Sequence, residues 1–472
     1  MSWADLAVEL LVGYSHVVLL YFVAINTQYL VLMLLGFRAT LAALAPTQWQ
    51  DLRRLMRSPL TPPVSIIAPA YNEAVNVAET VRSLLMLHYP QIEVVVVNDG
   101  STDDTLAVLR ERFTLRPVSR GADLAVPCAP IRAIYESAEF PQLVVVDKDN
   151  GGKADAVNAG LNVALYPLVC IVDTDSILED DALLRVVRPF VDQPGVTVAT
   201  GGIVRIANGS TIRAGRVVEA AVSRRLLPRI QVVEYLRGFL FGRMGWSAVN
   251  GLMIISGAFG LFDRQALIEA GGLATDTVGE DLEVVVRMHR RLREAGRPYR
   301  LAFVPDPVCW TEAPETWAAL GAQRNRWHRG LLETLRRHAG MWGRPRYGAV
   351  GLLAGPCFIL FEFLGPIIEL SGYVLVPIGY ALGELDRAFV LAFLAVSLLY
   401  GTLISVAAVL LEDLAFRRYP RLGDLARLLT AALVENLGYR QVTTWWRTRA
   451  LWDYWRGRTG WGHVPRRGFG RA

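Results

Sequence analysis

Residues 10–37 form a run of 28 positions with no charged side chain. At about 1.5 Å per residue, a helix of that length exceeds the roughly 30 Å hydrocarbon core of a bilayer. The run therefore predicts a transmembrane helix close to the start of the chain. A cleaved signal peptide competes for the same residues, and Ala43-Leu44-Ala45 has the look of a cleavage site. Pro46 follows it directly, however, no basic region precedes the run, and the run is too long, so cleavage is not expected. Asp5 and Glu9 lie before the run, and Arg38, Arg53, Arg54 and Arg57 lie after it. The positive-inside rule then puts the N-terminus outside and the next domain in the cytoplasm.

A second apolar region covers residues 347–383, interrupted by Glu362, Glu369, Pro356, Pro366 and Pro377. It reads as one long kinked span or as a helix plus a re-entrant piece. Residues 388–411 are a cleaner span, with acidic groups at the entry and Arg417, Arg418 and Arg421 at the exit. Residues 428–446 are more polar and read as an interfacial or bundle-packed helix, or as a further span. Buried carboxylates in a span are functional candidates, so Glu362 and Glu369 either line a path or pair with Arg440.

The net charge of +5 hides an asymmetry, because residues 413–472 hold twelve arginines against Asp413, Asp424, Glu435 and Asp453. Trp445, Trp446, Trp452, Trp455 and Trp461 are interleaved with them. Such a tail suits an anionic headgroup layer, so membrane lipids are expected partners and nucleic acid is not. The four cysteines form no C-x-x-C pair, which argues against a disulfide framework or structural zinc. Of 49 basic residues only Lys148 and Lys153 are lysine.

Between these apolar regions, short β-branched runs at 64–68, 92–97, 143–146 and 169–172 alternate with helical stretches, the pattern of an α/β sheet. Ligands of such sheets sit beyond the carboxyl ends of the strands. Ala70, Tyr71, Asn72 and Glu73 follow the first run and Asp99 follows the second, positions that suit a nucleoside; Asn-Asp-Gly is also ordinary turn chemistry. Asp173 and Asp175 are two apart in an extended segment, so both can face one spot and bind Mg²⁺ or Mn²⁺ on a diphosphate; a charged helix cap is the alternative.

Gly151-Gly152-Lys153 opens a helix over 154–164, where glycine backbone, helix N-terminus and ammonium favour an anion. Asp155 could hold Lys153 or accept a ribose hydroxyl. Glu280 and Asp281, read alone, are an acidic helix start. Gln323 and Trp327 share a face of a later helix with Arg326 alongside, an arrangement for stacking a sugar and holding phosphate; a core or interface tryptophan is the alternative. Residues 212–249 read as an amphipathic stretch that roofs the acceptor site, with Ser256 and Gly257 in a nearby acceptor loop or a glycine-rich strand end. No function attaches to residues 112–142.

In this order, Tyr71-Asn72-Glu73, Asn98-Asp99-Gly100-Ser101, Gly151-Gly152-Lys153, Asp173-x-Asp175, Glu280-Asp281 and Gln323-x-x-Arg326-Trp327 resemble the motifs of the family 2 inverting glycosyltransferases. Membrane polysaccharide synthases of that family, making cellulose, hyaluronan, chitin oligosaccharide or poly-β-1,6-N-acetylglucosamine, are the nearest look-alikes. The resemblance implies an α/β, GT-A (Rossmann-like) glycosyltransferase domain flanked by transmembrane and interfacial α-helices. The expected boundaries are a transmembrane helix at 1–40, a linker at 41–62 and a cytoplasmic catalytic domain at 63–340. Transmembrane helices at 341–412 and a basic interfacial region at 413–472 complete the chain.

The resemblance assigns the loop at Ala70, Tyr71, Asn72 and Glu73, with Asp99, to uridine, and sets Lys153 near the nucleotide. It assigns Asp173 to nucleotide and metal, Asp175 to Mg²⁺ or Mn²⁺, and Asp281, beside Glu280, to the general base. Arg326, with Gln323, would grip the diphosphate, and Trp327 would form the floor under the acceptor. The family's usual Thr-Glu-Asp has Gly279 in place of threonine here. The implied function is extension of a β-linked glycan, or transfer to a lipid-linked acceptor, from UDP-GlcNAc or UDP-Glc at the inner (plasma) membrane, with room for an accessory export or synthase subunit. A catalytically silent sugar-nucleotide sensor or scaffold is the remaining alternative.

Overall fold

The computed structural model describes residues 3–43, 48–121, 123–213 and 215–457. Leu44, Ala45 and Pro46 of the cleavage-like site, and Trp461 in the tail, lie outside the described residues.

Four β-branched runs become the centre of one sheet. In chain order the strands are β1 (Val64–Ala70), β2 (Ile92–Asp99), β3 (Leu115–Val118), β4 (Ile131–Ser137), β5 (Leu143–Lys148), β6 (Leu168–Val172), β7 (Ile177–Leu178), β8 (Thr197–Ile206), β9 (Thr211–Arg213), β10 (Arg216–Glu219), β11 (Phe259–Asp263) and β12 (Arg300–Thr311). Ten of them form a mixed sheet in the order β3-β4-β5-β2-β1-β6-β11-β8-β12-β7, and β9 and β10 make a separate hairpin. β5, β2, β1 and β6 are parallel neighbours. Their runs Val94–Val97 and Leu143–Val146 are buried throughout, as a parallel sheet covered on both faces requires.

From β1 the chain builds outward on one side through β2 to β5, and then crosses back to place β6 on the other side of β1. The crevice at the carboxyl ends of these strands is thus a topological switch point, where an open α/β sheet takes its ligand. The helix Lys153–Val163 packs directly on β1 and β2: a Cβ on Gly160 would lie 2.5 Å from Ile67 Cγ2. The segment 112–142 forms β3 and β4, an antiparallel extension of the sheet edge.

Among the described residues, three helices are long and apolar enough to cross a membrane: Trp3–Ala43, Val350–Ala381 and Arg387–Ala415. The region with three prolines is one continuous helical run. Pro356 and Pro366 each fall in the first turn of an α-helical segment of that run, just after π-wound turns at Val350–Ala354 and Phe358–Phe363, and Pro377 lies inside the last segment. The more polar region near 428–446 is two helices, Leu422–Val434 and Arg440–Trp455, separated by a kink at Leu437 and Gly438.

Two expectations need correction. The 212–249 stretch is not helical throughout, because Gly215, at φ +69, turns the chain between β9 and β10. Only Leu226–Ala248 is helical, with a π-wound centre at Leu236–Gly242. The 41–62 linker likewise contains a helix, Gln48–Arg57. The Leu226–Ala248 run lies against the N-terminal helix at backbone distance. A Cβ on Gly36 would fall 2.2 Å from the Phe241 carbonyl, and one on Gly245 would fall 2.5 Å from that of Leu32. Small residues at such crossings are how helices in or beside a membrane approach closely.

Candidate active site

At the carboxyl end of β1, Asn72 adopts a left-handed conformation (φ 55), which asparagine tolerates better than most residues. Its side-chain oxygen accepts from the backbone of Thr102 at 2.8 Å, and its own N–H donates to Ser101 Oγ at 3.0 Å. The two loops expected to hold a nucleoside are thereby tied together. Tyr71 stands half exposed beside them. Asp99, at the end of β2, is buried and accepts from Lys148 Nζ at 2.5 Å, Gly151 N at 3.0 Å, Gly152 N at 2.8 Å and Asn150 Nδ2 at 3.2 Å. A carboxylate offers about four lone-pair sites, so this chain's own donors already fill them.

Asp155 departs from expectation. It neither holds Lys153 nor faces the cavity; it accepts from Lys148 at 2.6 Å and from the backbone N–H of Ala129 at 3.0 Å. Lys153 turns the other way. Its ammonium lies 2.5 Å from Asp173 Oδ1 and 3.9 Å from Glu280, and donates to the Gly257 carbonyl at 3.3 Å. Burial works against that charge, but Asp173, Glu280 and Asp281 raise the lysine pKa above its ordinary value. Lys153 thus joins the donor loop to the acidic helix and to the Ser256-Gly257 loop. The loop passes close to the ammonium: a Cβ on Gly257 would come within 2.9 Å of Lys153 Nζ and press on these contacts.

Glu280 and Asp281 open the helix Glu280–Glu294. Asp281 accepts from Gly257 N at 3.3 Å and from Leu282 N at 2.9 Å, which fixes its carboxylate at the cavity wall. Glu280 is buried, and burial together with the neighbouring Asp281 pushes it up to about 7 against the pull of Lys153. The departure at Gly279 has a steric cause. A Cβ there would meet Gly330 Cα at 2.8 Å, and one on Gly330 would meet Gly279 Cα at 2.7 Å. The acidic helix therefore starts against the backbone of the helix Trp317–Arg337, where a threonine does not fit.

That longer helix brings Gln323, Arg326 and Trp327 to the same cavity. Trp327 is 38% exposed, so its face is available for stacking and it is not a core tryptophan. Behind it the Arg324 guanidinium sits 4.4 Å from the ring centroid and pairs with Glu234 at 2.6 Å, while Phe239 packs at 5.9 Å. Sequence reasoning missed Arg324; its clue was the i, i+3 spacing to Trp327. Arg243, on the Leu226–Ala248 run, was also missed. It stacks 4.1 Å from the Phe239 centroid, and burial lowers its pKa to about 10 despite the opposing field of Asp281.

One cavity of about 2370 Å³ contains every expected site residue except Asp155. It runs from Asp99, Lys153 and Asp173 past Asp281 and Trp327 to Glu362, Glu369, Arg440 and Arg447. Glu369 pairs with Arg440 at 2.9 Å, and Glu362 with Arg447 at 2.9 Å, so these carboxylates both line the cavity and form ion pairs. Arg243 Nη1, Gln323 Oε1 and both ring nitrogens of His328 are buried at its wall with no hydrogen-bond partner among the described residues. Each such atom costs about 1–3 kcal/mol unless something in the cavity satisfies it.

Among the described residues, no group of three or more His, Cys, Asp and Glu side chains forms a metal cage. The Asp173 and Asp175 carboxylates still fit a hard cation of the Mg²⁺ kind, which binds through one or two carboxylates and takes its other ligands from phosphate and water.

Residues 65–123 match the family model for Glycosyl transferase family 2, and residues 128–330 match that for Glycosyltransferase like family 2. The chain belongs to glycosyltransferase family 2. The matched stretches contain every site residue described from Ala70 to Trp327. Poly-beta-1,6-N-acetyl-D-glucosamine synthases of Staphylococcus epidermidis and Staphylococcus aureus are 30% identical over 275 residues, 58% of this chain and 56% of theirs. The chain thus spans little more than half the length of these curated relatives. A solved mannosyltransferase from Pyrobaculum calidifontis, in complex with GDP-Man and Mn²⁺, is similar with a TM-score of 0.48 and 20% identity over 88% of this chain and 99% of that one.

Proposed function

We propose that this family 2 chain is a membrane-bound inverting glycosyltransferase that extends a β-linked polysaccharide from a UDP-sugar and passes the product toward the membrane. The observation that carries this is the single cavity joining the switch-point loops to Asp281, Trp327 and the ion-paired carboxylates of the helical region. Its partnerless polar atoms suit a chain of hydroxyl and amide groups. UDP-GlcNAc is the preferred donor, given what the staphylococcal relatives are named for; UDP-Glc is the close competitor.

The chemistry follows from the geometry. Loop 70–73 holds the nucleoside end, with Asp99 shaping the 150–153 loop beside it, and Lys153 and Arg326 oppose the charge that develops on the diphosphate. A divalent cation held by Asp173 and Asp175 would supply further electrostatic stabilisation of that charge when bound. An acceptor sugar stacks on Trp327 with its hydroxyl toward Asp281. Asp281 takes the hydroxyl proton as the oxygen bonds to the donor anomeric carbon. The bond to the diphosphate breaks with its electron pair on the leaving oxygen, and attack from the opposite face inverts the carbon. Arg38, Arg53, Arg54 and Arg57 after the first span favour a cytoplasmic catalytic domain at the inner membrane.

The test is to incubate purified full-length protein with a panel of UDP-sugars and Mg²⁺ or Mn²⁺, then measure UDP release and product size. Long glycans are expected. A single sugar on a lipid would support the one-step transferase instead, and no UDP release would leave a silent sensor or scaffold.

A further inference from the structure

Lys148 is the second of the chain's two lysines, and no step of the chemistry above uses it. We propose that Lys148 is a positioning residue for donor binding, locking Asp99 and Asp155 together so that the 149–153 loop keeps its shape at the donor end of the cavity. This rests on the donor reading above.

The ammonium is fully buried, with a relative exposure of 0%. Its three N–H groups meet three oxygens: Asp99 Oδ1 at 2.5 Å, Asp155 Oδ1 at 2.6 Å and the Asp149 carbonyl at 2.6 Å. From these contacts the lock spreads into the loop. Asp99 accepts from the N–H groups of Gly151 and Gly152, and the Asn150 amide donates to the Asp99 carbonyl at 2.8 Å. Gly100, at φ +63, lies so close that a Cβ would sit 2.7 Å from Asn150 N. Asp99, Asn150, Gly152 and Lys153 face the cavity, whereas Lys148 and Asp155 lie behind them.

Charge and size both require lysine at this position. Without the ammonium, two buried carboxylates would face each other with no cation between them, which the loop can relieve only by opening or by taking up a proton. A guanidinium is larger and planar and does not fit a closed site shaped for a compact three-donor cation. In a chain whose basic residues are arginine everywhere except here and at Lys153, that accounts for a lysine at this position.

The test compares wild type with K148M, K148R and K148M/D155N as full-length purified proteins. It reads UDP binding by equilibrium dialysis, KM and kcat for the donor, and thermal unfolding. K148M and K148R are each expected to raise the UDP Kd and the donor KM by about tenfold or more, with kcat at saturating donor within about threefold of wild type. K148M/D155N, which removes one carboxylate with the ammonium, should fold like wild type yet keep a Kd weakened by about threefold or more. It decides the matter if K148M does not fold. A Kd within about twofold of wild type in folded K148M/D155N, or in folded K148M, overturns the proposal. Wild-type protein that binds UDP but turns over no UDP-sugar overturns the proposed function alone, and wild-type protein that binds no UDP overturns both.

Discussion

In the proposed mechanism transfer turns on Asp281, whose carboxylate is held at the cavity wall by Gly257 N and Leu282 N. Asp281→Asn keeps the size and loses the base, so sugar transfer should fall by about 10²–10⁴-fold while UDP binding is largely retained. Near-wild-type turnover in that variant would remove Asp281 from the mechanism. Glu280 makes a prediction about pH. Its folded pKa lies above its ordinary value, so between the ordinary range and about 7 the folded state holds a proton that the unfolded state has released. That contribution is full at low pH and is lost as pH rises through this window. Thermal unfolding from pH 5 to 8 should therefore show a stability decline that Glu280→Gln flattens. Gly279→Thr, which restores the family's usual residue, should cost about 1–3 kcal/mol by driving a Cβ into Gly330, read as a lower unfolding temperature. The sequence made the strand-end motifs legible because their spacing and order are local. It could not reveal that Asp155 turns away from Lys153 to Lys148, because side-chain direction at a helix start is not written in spacing, or that Asp99 is saturated from within, because its contact to Lys148 joins residues 49 apart across the sheet.

Helices and strands meet here through a few close contacts. Gly36 and Gly245 let the first membrane-length helix lie against the run that roofs the cavity. At the far end of the third such helix, Glu412 pairs with Arg205 of β8 at 2.8 Å, both buried. Glu412→Leu strands a buried guanidinium and should cost about 3–5 kcal/mol, whereas adding Arg205→Met should recover much of that loss. Unfolding temperatures of both single variants and the double variant in detergent check this, and a double loss equal to the sum of the two single losses would show that the pair is not coupled. Long apolar runs were readable by length alone. The 212–249 stretch was misread because scattered arginines resemble an amphipathic helix, while the glycine turn at 215 that makes β9 and β10 depends on one residue.

At the scale of the whole molecule, an α/β domain and two of the membrane-length helices, Trp3–Ala43 and Val350–Ala381, share one cavity, lined at one end by Asp99 and Asp173 and at the other by Glu362 and Glu369. That continuity was not legible in sequence, because the cavity wall comes from helices separated by hundreds of residues, as in the Tyr29 hydroxyl that donates to Glu362 at 2.9 Å. What the account claims for this assembly is inversion by one base. The most direct measurement is the anomeric configuration of the new linkage, read by NMR on the product formed from an α-linked UDP-sugar. The account predicts a β-linkage; an α-linkage would contradict it.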